Sequence, residues 1–208
     1  MGNSKAALSL LSKGANPHKA AKNFNGWIGL PDGDVTVFTP LYHAVQRGST
    51  EVVRRLLEKG ADPNKGMKGL NKDGAVYVEN PLYMASLHGY TEVVRSLLKR
   101  GADPNNGRRS TEKDGDVTVV TPLYVAAEFG HIEVVRRLLE SKADPNKGER
   151  ITHKDGSVYA RKPLYIASKR QYEDSKNYEH EGEEGMMGKA KYNEIIKLLE
   201  AAQSGALQ

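Results

Sequence analysis

From Thr39 to Gly66 the apolar residues fall into two short helical stripes. Leu41, Ala44 and Val45 recur at intervals of three and four, which puts them on one helical face. Pro40 stands just before them, where its fixed φ and missing N–H suit a first helical position. Gly48 ends the run after about two turns. The second stripe is Val52, Val53, Leu56 and Leu57, with Arg54, Arg55, Glu58 and Lys59 on the other side. It predicts a helix from about Thr50 to Lys59, closed by Gly60 where a left-handed residue is wanted. Neither helix is long enough to stand alone in water, so the pair needs neighbouring pairs to cover its apolar faces.

Those neighbours are present as copies. TPLYHAVQRGSTEVVRRLLEKGADPNKG begins at Thr39, NPLYMASLHGYTEVVRSLLKRGADPNNG at Asn80, TPLYVAAEFGHIEVVRRLLESKADPNKG at Thr121 and KPLYIAS at Lys162, each start 41 residues after the last. A partial copy, ALSLLSKGANPHKA, begins at Ala7. All nine prolines fall in this scheme: in the PLY steps, in the AxPN steps, or in a turn at Pro31.

Between AxPN and the next PLY lie runs of β-prone residues around Asp32–Gly33, Asp73–Gly74, Asp114–Gly115 and Asp155–Gly156. Asp-Gly between such runs is a hairpin signal. The strands that follow align as DVTVF, AVYVE, DVTVV and SVYAR, with Val35, Val76, Val117 and Val158 in one register and Thr36, Tyr77, Thr118 and Tyr159 in the next, on the opposite face. Packed helices sit roughly 8–10 Å apart, and two strands occupy about 9.5 Å. The step between units thus matches the width of one hairpin. The four fingers are therefore expected to hydrogen-bond side by side into one continuous antiparallel sheet.

The PLYxA step, the GxxEVVRxLL helix and the GADPN turn together resemble the ankyrin repeat family, over about Ala7 to Gln203. The resemblance implies an α fold with β-hairpin fingers: an ankyrin-repeat solenoid of stacked helix-turn-helix-hairpin units with a concave groove. It also implies a recognition role. Three features depart from the family pattern. Tyr42, Tyr83, Tyr124 and Tyr165 stand where the family commonly has His, Lys142 replaces the glycine after the helix, and the period is 41 rather than about 33. The surplus residues are assigned to longer fingers.

The chain divides as a single domain: a half-repeat at 4–20, a repeat with an aromatic first finger at 21–66, repeats at 67–107 and 108–148, and a C-terminal repeat at 149–203. Phe24, Trp27 and Ile28 are expected to cover the exposed end of the stack, with Trp27 as an aromatic anchor for a partner in the alternative. In the last repeat, QYEDSKNYEHEGEEGMMGKAK separates KPLYIASKR from YNEIIKLLEAAQ. Acidic, glycine-containing and poor in branched apolar residues, the stretch 171–191 is expected to be a mobile surface loop.

Composition narrows the functional classes. There is no cysteine, which excludes disulfides, thiolate metal sites and a cysteine nucleophile. No run of 18 apolar residues marks a membrane span. The formal net charge is +5, but the basic residues are spread over every repeat and mixed with glutamates, as on a solvated helix face. Nucleic-acid binding is therefore not expected. The six histidines form no metal spacing, no phosphate-binding glycine loop is present, and the acidic cluster Glu179, Glu181, Glu183 and Glu184 reads as solvated. His131, at a helix start, is read as capping or packing. No catalytic residue, metal ligand or cofactor is assigned.

Two sets of positions remain as candidates for recognition. At the ends of the first helices, Gln46 and Arg47, Leu87 and His88, Glu128 and Phe129, and Lys169 and Arg170 differ sharply between copies that otherwise agree. Packing demands the same residue in each unit, whereas a binding surface does not. Leu87 and Phe129 are expected to be exposed apolar anchors. Asp32, Lys72, Asp73, Lys113, Asp114, Lys154 and Asp155 occupy the finger tips, where turn chemistry comes first and recognition second. The expectation is a non-catalytic, monomeric, cytoplasmic scaffold for a protein partner. The alternative is a recruiting module of an enzyme system or a secreted effector.

Overall fold

The computed structural model describes residues 14, 16, 21–24, 35–177 and 182–206. Eight strands and eight helices alternate as hairpin, helix, helix. The strands are β1 (Ala21–Phe24), β2 (Val35–Phe38), β3 (Met67–Leu70), β4 (Val76–Glu79), β5 (Arg108–Thr111), β6 (Val117–Val120), β7 (Glu149–Thr152) and β8 (Val158–Arg161). The helices are α1 (Pro40–Gln46), α2 (Thr50–Glu58), α3 (Pro81–Leu87), α4 (Thr91–Lys99), α5 (Pro122–Glu128), α6 (Ile132–Glu140), α7 (Pro163–Asn177) and α8 (Gly182–Gln203).

Each first helix begins at its proline, and three of the four lie behind a residue whose side chain caps them. Thr39, Asn80 and Thr121 accept from the N–H of Tyr42, Tyr83 and Tyr124 at 3.1, 2.8 and 3.3 Å. The same three side chains donate forward to the carbonyls of Lys65, Asn106 and Lys147, so each cap also ties its unit to the finger that follows. Lys162 holds the fourth equivalent position and has no oxygen to offer. The second helices bury the expected stripe, Val52, Val53, Leu56 and Leu57 in α2, and the arginines and glutamates opposite pair with one another along the exposed side. One apolar core runs the length of the stack, from Leu41 and Val53 through Leu97 and Leu138 to Ile195 and Leu199.

The AxPN turns lock the units in register. Asn64 donates to the Gly101 carbonyl and accepts from the Asp103 N–H at 3.1 and 2.8 Å. Asn105 does the same to Lys142 and Asp144 at 3.5 and 2.7 Å. Lys142 has φ of 64°, so the only non-glycine residue with positive φ among the described residues is the one that replaces the helix-ending glycine.

The fingers form the continuous sheet the spacing predicts. All eight strands join in sequence order, every neighbouring pair antiparallel. Gly69 lies opposite both Thr36 and Tyr77. A Cβ there would fall 2.1 Å from the Tyr77 ring, and its absence lets the Thr36 and Tyr77 hydroxyls come within 3.4 Å over the strand between them.

One expectation needs correction and another is narrowed. Most of the stretch 171–191 is helix rather than loop: α7 continues to Asn177 and α8 begins at Gly182. Its Gln, Glu, Lys, Met and Ala are good helix formers, and the two helices lie against each other, with Gln171 hydrogen-bonded to Asn193. His131 sits at the N-cap of α6 without a side-chain capping bond. Its Nε2 instead lies 3.1 Å from the Leu87 carbonyl and its ring covers Gly89 of the preceding unit, so of the two expected roles it is packing against the neighbouring unit that holds. The half-repeat at 4–20, Trp27, Ile28 and Asp32 fall outside the described residues, apart from residues 14 and 16.

Candidate recognition groove

The first helices and the sheet meet at an angle that leaves a cleft along their junction. One section has a volume of about 260 Å³ and is lined by Thr36, Phe38, Gln46, Tyr77, Met84 and Arg108, with Thr36 and Met84 buried and Arg108 exposed. The floor is polar. The Tyr42 hydroxyl donates to Glu79 Oε1 at 2.5 Å, from α1 of one unit to β4 of the next. Arg108 lies opposite Glu79 on β5, and its charge acts on the Tyr83 hydroxyl. Further along, the Tyr124 hydroxyl is 3.4 Å from Glu149 Oε2, and Arg161 Nε donates to that same oxygen at 2.5 Å. The tyrosines of the PLY steps thus meet a run of alternating carboxylates and guanidiniums at the inner ends of the strands.

Burial sets the protonation of this run. Glu79 is only 6 % exposed. Desolvation raises its carboxyl above the ordinary carboxylate range, although Tyr42 and Arg108 both pull the other way. Burial and the adjacent carboxylates raise Tyr42, Tyr83 and Tyr124, which therefore remain hydroxyl donors. His43 stacks on Phe38 with ring centroids 5.3 Å apart, and burial, then Arg47, lowers it below the usual histidine value.

The positions expected to face a partner divide into three groups. Gln46 lines the cleft. Arg47, His88 and Phe129 stand exposed at the helix ends, Phe129 at 48 %, with His88 and Phe129 stacked on the aromatic residues two places on, Tyr90 and His131. The others are tied into the fold. Leu87 is half-buried against the core rather than an exposed anchor. Glu128 and Arg170 form an ion pair at 2.9 Å, joined by Glu173, and Lys169 reaches Glu173 as well. At the finger tips, Lys72, Asp73, Lys113, Asp114, Lys154 and Asp155 are all exposed. The tips close by side-chain-to-backbone bonds: Asp155 accepts from the Ser157 N–H at 2.8 Å, and Asn71 plays that part for Asp73 and Ala75.

Glu79, Arg108, Glu149 and Arg161 were not singled out from the sequence. Their signal is there: one strand position reads Met67, Arg108, Glu149 and its cross-strand partner reads Phe38, Glu79, Val120, Arg161, so opposite charges face each other in register. Among the described residues no group of three or more His, Asp and Glu could hold a metal ion. No helix among them is long and apolar enough to cross a membrane.

The repeated helix pairs, forward-tied turns and hairpins define a repeat solenoid. A family model of ankyrin repeats, three copies long, matches residues 1–108 and again 67–149. The chain belongs to the ankyrin repeat family. No curated protein matches it.

Proposed function

We propose that the chain is a non-catalytic scaffold that binds a protein partner in the groove between the first helices and the sheet. The finger tips extend that surface. The reading is carried by one contrast. Leucine, alanine and valine positions of the core repeat from unit to unit, as Leu41, Leu82 and Leu123 do, whereas the exposed residues at the ends of the first helices, Arg47, His88 and Phe129, change size, polarity and charge at each step. Ankyrin repeats are in general protein-interaction modules, which supports the class but names no partner. An uncharged apolar ring at Phe129 and an imidazole at His88 are suitable anchors, because aromatic side chains carry a large share of binding energy at interfaces. A monomeric, cytoplasmic protein working without a cofactor completes the reading.

The test is affinity capture from a lysate with the parent chain and a rim variant carrying Arg47→Glu, His88→Ala and Phe129→Ala. All three side chains are exposed, so circular dichroism should be unchanged. Loss of the captured protein by the folded variant places recognition in the groove. Retention of the same protein by the folded variant overturns the assignment.

A further inference from the structure

Among the described residues the last hairpin leaves uncovered a surface that is covered in every preceding unit. β8 pairs with β7 on one side only, and Val158, Tyr159 and Ala160 are exposed, the first two at 51 % and 49 %. His153 and Ser157 are hydrogen-bonded across the hairpin. By the alternation of an antiparallel ladder, Tyr159 and Arg161 then bond to β7, and Val158 and Ala160 direct their N–H and C=O outward. Beside this edge Leu164 and Tyr165 of α7 line an open cleft of about 530 Å³, and Tyr165 is 48 % exposed.

The fold itself shows what chemistry covers such a surface. One unit earlier, β6 occupies the place of β8 and Tyr124 that of Tyr165. There β7 lies antiparallel along β6 with Glu149 opposite Val120, and the Glu149 carboxylate meets the Tyr124 hydroxyl. Gly148 precedes it, and a Cβ there would fall 2.9 Å from the Tyr124 ring. Three units before the end Tyr42 also meets a glutamate, Glu79, which comes from the second strand of the next hairpin, while the position of Glu149 itself is held by Met67 and Arg108 in the earlier units. At the end of the stack the cleft walls carry the exposed Lys162 together with Arg161, which is paired with Glu149 of β7, and no carboxylate of their own.

We propose that this end of the stack is a second docking surface, which takes an extended, glutamate-bearing peptide segment of a partner as a ninth strand along β8. Its backbone pairs with Val158 and Ala160, and its glutamate sits opposite Arg161 and accepts from the Tyr165 hydroxyl. Strand addition supplies the main-chain bonds, and the cationic cleft with its tyrosine selects the acid. The surface lies at the last unit, whereas Arg47, His88 and Phe129 belong to the three units before it, so this proposal does not depend on what those residues bind.

The probe is a synthetic peptide reproducing residues 146–154, NKGERITHK, the chain's own example of such a strand. It is titrated into the full chain while amide exchange is followed. The expected result is saturable slowing of exchange at Val158 and Ala160. Replacing the peptide's glutamate by lysine should weaken binding at least about tenfold, a loss of ~1.4 kcal/mol. Ala160→Pro should fold normally, since proline is tolerated where an edge N–H faces solvent, and should not bind. Tyr165→Phe should fold and bind more weakly. Exchange at Val158 and Ala160 that is unchanged at about 1 mM peptide, where even a 1 mM Kd gives half occupancy, overturns the proposal. So does equal binding by the lysine peptide, or undiminished binding by folded Ala160→Pro. Protection of Ala160 without peptide that vanishes on dilution shows a second copy on the edge, and overturns it too.

Discussion

The Tyr42 hydroxyl and Glu79 Oε1 are 2.5 Å apart, and this contact joins the first helix of one repeat to the hairpin of the next inside the shared core. Removing the hydroxyl leaves a carboxylate that is 6 % exposed without its closest donor. Tyr42→Phe should therefore destabilise the chain by about 1–3 kcal/mol, the usual cost of an unsatisfied buried group. Urea unfolding checks this. A change under about 0.5 kcal/mol, the low end for a net hydrogen bond, would show that Arg108 alone satisfies Glu79.

Glu79 also makes stability depend on pH in an unusual direction. Its carboxyl is raised in the folded chain, chiefly by burial. The folded state thus holds the proton more tightly than the unfolded one, and this contribution is present below the ordinary value of 4.5 and is lost as pH rises through the folded value. Glu79→Gln keeps an acceptor for Tyr42 and has no charge to desolvate. Wild type should lose ground to the glutamine variant as pH is raised from 4 toward 7, as read by urea midpoints of both at each pH. A constant difference would mean that Glu79 titrates as it does when unfolded.

His43 and His131 act with the opposite sign. Burial lowers both below 6.5. Their contribution is present above 6.5, and is lost as pH falls through the folded values. Around His131 lie Lys191 and His88, which disfavour a second positive charge, and around His43 lies Arg47. The melting temperature should fall between pH 7 and 5.5, and the double variant His43→Gln, His131→Gln should fall less. Equal slopes would remove both residues from the acid response.

Lys142 stands in the left-handed region, with φ of 64°. A side chain there is strained by roughly 1–2 kcal/mol, while glycine loses about 0.5–1 kcal/mol more backbone entropy on folding. Lys142→Gly should raise stability by about 0.5–1 kcal/mol, the difference between those effects. Loss of stability instead would show that the lysine side chain holds a contact worth more than the strain.

The period of 41 made the repeat, both helices of each unit and the joined sheet legible, because each follows from apolar spacing, proline position and the width of a hairpin. Two features escaped for physical reasons. The stretch 171–191 lacks branched apolar residues, yet its two halves form helices that pack on each other, and tertiary pairing does not show in local composition. The tyrosine and glutamate contacts join residues 37 or 25 positions apart. A periodic reading compares equivalent positions and passes over partners in different phases of the repeat. Leu87 was misjudged because a side chain at a helix end can still pack on the core.

Two glycines separate backbone strain from crowding. Gly89 and Gly60 both have positive φ, at 69° and 86°. A Cβ on Gly60 meets nothing within 4 Å, whereas one on Gly89 lies 2.6 Å from the His131 ring. That ring is held by its contact with the Leu87 carbonyl and stacks on Phe129, so it has little freedom to withdraw. Gly60→Ala should lose roughly 1–2 kcal/mol, the left-handed strain alone. Gly89→Ala should lose more, by a further 1–3 kcal/mol typical of overpacking. If the Gly89 loss reflects the ring, adding His131→Ala should recover that excess and leave Gly89→Ala costing no more than Gly60→Ala does. A loss at Gly89 that persists without the imidazole would place the strain in the backbone, and the coupling of one repeat's turn to the next repeat's ring would be withdrawn.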